Sequence, residues 1–135
     1  MSNTKATGVA YLDPEFSTMY ATEEIGYAAA AQGAVTQLTS KSTAVTLDKS
    51  AGRITMNNAS LATATNATFT LNNSTISAND TVILTISGGQ ATPGSYNVFA
   101  NSLSAGAVSI TLRNISGGSL SEAIVINYCV IHSAS

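Results

Sequence analysis

The sequence predicts an all-β protein: a single small β-sandwich, jelly-roll-like, of about eight strands, preceded by an N-terminal arm. Three observations carry that prediction. Short Thr/Val/Ile/Leu runs recur about every ten residues after Gly33, separated by Asn, Ser and Gly. Charged residues are only 9% of the 135-residue chain, against roughly 25% in an ordinary soluble domain. The chain also changes character at Gly33. Residues 1–33 hold four of the seven acidic residues and three of the five tyrosines. The expected division is therefore an arm over 1–33 and a β body over 34–135.

Asp13-Pro14-Glu15 marks a turn, because Pro presets φ and Asp accepts from the backbone ahead of it. Thr18–Ala31 is helix-capable, with Thr22, Glu23 and Glu24 as an N-terminus and Ala28–Ala31 as strong helix former. The rival reading is an extended arm ordered on a partner surface. Tyr11, Phe16, Tyr20 and Tyr27 favour it, since such side chains concentrate at interface cores. These four are the expected partner-binding anchors.

The body follows as alternating runs. Strands are expected at Ala34–Thr39, Thr43–Leu47, Arg53–Met56, Ala67–Leu71, Thr81–Ser87, Ser95–Asn101, Ala107–Arg113 and Glu122–Ile131. Asp48–Gly52, Asn72–Asp80, Gly88-Gly89 and Pro93-Gly94 supply turn chemistry between them. Ile124–Ile126 and Tyr128–Ile131 are apolar on both faces, which suits a central strand or one in a subunit interface. Arg113 and Glu122 are expected to pair across a hairpin.

Residues that do chemistry are scarce. After Gly33 the carboxylates are Asp48, Asp80 and Glu122, and the first two fall in turns where Asp serves the backbone. General acid–base catalysis needs two titratable groups in reach of each other, so a hydrolase is disfavoured. The single cysteine, Cys129, is expected to be a packed free thiol. The single histidine, His132, lies three residues on, which in a strand places it on the opposite face. One Cys and one His are too few for a zinc site in one chain, and no cofactor motif is present. Five basic residues spread along the chain form no nucleic-acid footprint. Met1–Ala10 has no apolar run, so no secretory leader is expected, and no segment suits a membrane span. The six Asn-x-Ser/Thr sequons, at Asn58, Asn66, Asn72, Asn73, Asn79 and Asn114, are then by-products of composition.

Four stretches of the body carry a resemblance: Gly33–Gln37, Ser40–Leu47, Gly52–Asn57 and Leu112–Ala123. They resemble a family of tailed-phage virion proteins, the small capsid decoration (cement) and head-fibre proteins. The resemblance spans about residues 33–131. It implies a non-enzymatic structural protein on the outer surface of the virion, a homotrimer bound to the major capsid protein of a phage head. On that view the β body self-associates; the arm lies outside the resemblance, and its composition alone assigns it to gripping the shell. The alternative is a head-fibre or tail-fibre module that binds host surface glycans. Phe69, Tyr96, Phe99 and Tyr128 are the body's only rings for stacking sugars.

Overall fold

The computed structural model describes residues 16–133, and the strands appear where alternation places them. In chain order they are β1 (Gln32–Thr36), β2 (Val45–Thr46), β3 (Ala51–Thr55), β4 (Asn66–Asn72), β5 (Thr81–Gly88), β6 (Tyr96–Ser104), β7 (Ala107–Asn114) and β8 (Val125–Ile131). Two four-stranded sheets form, ordered β1-β3-β8-β5 and β2-β4-β7-β6.

The two orders run in step. Consecutive strands cross from one sheet to the other, apart from the β6–β7 hairpin, so the chain wraps as paired ribbons. β8 pairs antiparallel with β3 and β5, and β7 pairs antiparallel with β4 and β6. The first ribbon lies parallel to the next: β1 along β3, and β2 along β4. β8 is the central strand its two-sided apolar pattern suggested.

Alternation sorts the faces. Ile54, Ile126, Tyr128 and Val130 point inward from the first sheet, against Ala67, Phe69, Leu71, Val108, Ile110 and Leu112 from the second. Met56, Leu61, Ile76 and Ile124 complete the core from the connections. Gly52 sits where a Cβ would lie 2.7 Å from Leu47 Cδ2 and 2.8 Å from Tyr128 Cε1, so a side chain there would have to displace both. Gly89 holds φ at +89° with its missing Cβ 2.1 Å from the Ala123 carbonyl oxygen.

Buried amides lock the connections. Asn73 donates to the Lys49 carbonyl (2.7 Å) and accepts from the Thr75 N–H (2.9 Å) and hydroxyl (2.7 Å). Asn114 donates to the Leu61 (2.8 Å) and Gly118 (2.9 Å) carbonyls and accepts from the Ser116 N–H (2.9 Å) and hydroxyl (2.7 Å). Both are Asx turns in which the side chain stands in for a turn of backbone. They sit just past β4 and at the end of β7, at opposite ends of the second sheet, and both are fully enclosed. Two of the sequon asparagines thus have their amides engaged inside the fold.

A third polar joint ties the loop after β1 to the loop before β8. Gln37 donates to the Thr43 carbonyl at 2.8 Å and accepts from the Asn57 N–H at 3.2 Å. Buried Lys41 donates through Nζ to the carbonyls of Asn57 and Glu122, each at 2.5 Å. Burial lowers the Lys41 pKa, partly countered by Glu122.

Of the two readings of Thr18–Ala31, the helical one is not seen: the segment forms a single 3-10 turn, Ala29–Ala31, before β1 begins at Gln32, two residues inside the expected arm. Side chains from Phe16 to Ile25 are exposed, Gly26 interrupts the segment, and an isolated helix of that length is marginal in water. Arg113 and Glu122 do not pair either. β7 and β8 belong to different sheets, and the Glu122 carboxylate turns away to accept from the Ala91 N–H at 2.6 Å.

Candidate functional site

The arm meets the body on the outer face of the first sheet. There the register aligns Ala51, Cys129 and Ile83 in one row and Ile131 with Thr81 in the next. Cys129 is half-buried, while Ile83 and Ile131 remain 48% and 51% exposed. A groove of about 390 Å³ runs between this row and the arm, lined by Ile25, Gly26, Tyr27, Cys129, Ile131 and His132.

Tyr27 fastens the arm. Its hydroxyl donates to the Val130 carbonyl, 103 residues away in sequence. The backbone explains why that oxygen is free. The Val130 N–H is met by the Ser50 carbonyl just before β3 begins, so β3 ends its ladder there and the neighbouring acceptor is left for Tyr27. Burial raises the Tyr27 pKa, with Cys129 and Asp80 adding to the shift. Lys49 Nζ donates to the Ala30 carbonyl at 2.8 Å, and Gln32 Nε2 to the Tyr27 carbonyl at 2.7 Å.

At the end of β8, His132 Nδ1 lies 2.8 Å from Asp80 Oδ2. The Asp80 carboxylate also accepts from the Ser77 N–H and hydroxyl, both at 2.8 Å, and from the Ser133 N–H at 3.1 Å. The Ser77 N–H bond contributes most to holding this carboxyl far below the ordinary range. Asp48 likewise caps a turn, accepting from the Ser74 N–H at 2.7 Å, and its pKa is lowered by that bond. Both aspartates therefore serve the backbone. Cys129 and His132 border the same groove because the strand ends between them, but no hydrogen bond joins them. Among the described residues, no three His, Cys, Asp or Glu side chains gather closely enough to hold a metal ion. No helix among them is long and apolar enough to cross a membrane.

The four expected anchors part company. Tyr11 lies outside the described residues. Phe16 and Tyr20 stand 62% and 88% exposed, whereas Tyr27 is turned in and bonded to its own body. Sequence reading missed Met19 and Ile25, which are 65% and 79% exposed on the same arm. Their signal was available: both are large apolar residues in a segment with no strand or helix period. The arm's fasteners, Lys49 and Gln32, gave no such signal, because they act through the carbonyls they reach.

The outer face of the second sheet is of another kind. Thr68 and Thr111 hydroxyls lie 2.6 Å apart, and Asn101 Nδ2 donates to the Thr111 hydroxyl at 2.6 Å. Phe99 projects from this hydroxyl and amide surface, 44% exposed. The other three body rings, Phe69, Tyr96 and Tyr128, are in the core. Burial pushes the Tyr128 hydroxyl up to about 12, and burial with the neighbouring Glu122 raises that of Tyr96.

No family model matches the chain, and neither a curated protein nor a solved structure does.

Proposed function

We propose that this chain is a non-enzymatic structural protein that decorates and stabilises a tailed-phage capsid on its outer surface. The arm binds the shell, and the β body self-associates as a trimer. The observation that carries this reading is the arm's exposed apolar series, Phe16, Met19, Tyr20 and Ile25, on a segment whose base is fastened to the body by Tyr27. Apolar side chains held in water on an anchored tether gain free energy once a surface covers them. The body supports the same reading: its buried Asn73, Asn114, Gln37 and Lys41 bond inward to backbone and fix the scaffold.

The test is cosedimentation of the full-length protein with undecorated capsids of its phage, beside a Phe16→Ala/Tyr20→Ala variant. Saturable binding by the parent and at least tenfold weaker binding by the variant are expected. Equal occupancy by both would refute the arm's role, and no binding by either would refute decoration. The glycan-binding alternative rests on Phe99 as its one exposed body ring. A sugar stacked there would give glycan-array binding that Phe99→Ala abolishes.

A further inference from the structure

The two sides of the sandwich differ in how their edge strands are guarded. On one side the edges are β1, five residues long, and β2, two residues long. Short edges offer little to a pairing strand, and the arm's Ala30 is tied down there by Lys49. On the other side the edges are β5 and β6, of eight and nine residues, which lie next to each other. Neither contains a Lys, Arg, Asp, Glu or Pro. Apart from their ladders to β8 and β7, no backbone hydrogen bond among the described residues reaches them.

Bulges between Ile86 and Gly88 and between Ala100 and Ser102 leave Thr81–Ile86 and Tyr96–Ala100 as regular runs. Those runs carry Ile83 and Phe99, exposed on the outer faces of the two sheets. Among the described residues, this side thus combines unpaired backbone, no charge, and a large apolar residue on each strand. Such an edge is a template for strand addition unless something covers it.

We infer that the β5/β6 side is the surface through which copies of this chain join, with β5 of one copy adding against β6 of the next. The inference rests on the self-association proposed above and names its surface. A second copy is the occupant that fits. The two edges are matched in length and equally free of charge, so a charged partner finds no counter-charge on them, while a copy meets no repulsion. The formal net charge of −2 opposes association only weakly. Two different strands meeting head to tail make a heterologous contact, which closes into a ring when the rotation allows.

The experiment is sedimentation equilibrium of the full chain without capsids, for the parent, Ile83→Lys, Phe99→Lys and a 1:1 mixture of the two variants. Both side chains are on outer faces, so circular dichroism should show each variant folded. If either fails to fold, Thr85→Lys on β5 or Ser102→Lys on β6, both at exposed positions, replaces it. The expected result is an oligomeric parent, each variant shifted to the 13.7 kDa monomer, and a heterodimer in the mixture. The heterodimer forms because one intact β5 then meets one intact β6 but the ring cannot close. An oligomeric parent whose variants stay assembled would overturn the surface and leave self-association standing. Loss of assembly in Ile83→Lys alone would overturn the β5-to-β6 pairing in favour of β5 against β5. A monomeric parent would overturn both this inference and the self-association it rests on.

Discussion

Replacing Asn114 by alanine tests whether buried amides hold the connections of this sandwich. The side chain makes four hydrogen bonds, two donated and two accepted, and the residue is 0% exposed. Their loss is not uniform. The Leu61 carbonyl keeps a second donor, the Leu120 N–H at 3.1 Å, so it is under-satisfied and not orphaned. Gly118 is exposed, and water replaces Asn114 at its carbonyl. The Ser116 N–H, half-buried, loses its acceptor. At about 1 kcal/mol for each of the two enclosed bonds, plus a small void, the change should cost about 2–3 kcal/mol.

Urea unfolding followed by circular dichroism reads this directly. With a slope of roughly 1.5 kcal/mol per molar, the midpoint should fall by about 1.3–2 M. Ser116→Ala removes one hydroxyl and keeps both donated bonds, so it should cost under about 1 kcal/mol. Asn114→Asp keeps the acceptor but sets a carboxylate against two carbonyls, and should be at least as damaging as alanine. A loss under about 0.5 kcal/mol in Asn114→Ala, or an Asn114→Asp no worse than Ser116→Ala, would refute the argument.

Two further perturbations address the groove. Asp80 has a carboxyl held below its ordinary value, so its contribution is present in full above the unfolded pKa, about 4, and is lost as pH falls toward the folded value. Asp80→Asn should lower Tm at pH 7, with the gap to the parent narrowing below about pH 4; a gap unchanged from pH 7 to pH 3 would contradict this. Tyr27→Phe removes the hydroxyl bond to Val130 at a cost of about 1 kcal/mol, which falls on the arm and not on the core. Hydrogen exchange at the Ala31 amide, bonded to the Ala28 carbonyl, should quicken roughly fivefold while the urea midpoint barely moves. Unchanged exchange would mean that Tyr27 does not fasten the arm.

Much of this molecule is legible in its sequence because strand alternation is a local signal. Val108, Ile110 and Leu112 face inward and Ser109 and Arg113 outward in β7, as a period of two requires. The two-sided apolar run of β8 announces a central strand, and the turn chemistry at Asp48 and Asp80 announces their service to the backbone. The composition changes at Gly33, while β1 already begins at Gln32. Composition left Thr18–Ala31 open between a helix and an extended arm, because propensity decides little where few side chains are buried.

What only the tertiary structure decided is partnership. Alternation says which way a side chain points but not which strand lies beside it, so the parallel pairing of β1 with β3 and the separation of Arg113 from Glu122 had no sequence signature. The same holds for Tyr27. Its residue type marks an interface, but an acceptor 103 residues away, left free beside the first residue of β3, makes that interface internal. Local periodicity determined the elements and their inner faces. Long-range packing decided their order, which strands became edges, and which apolar residues stand exposed.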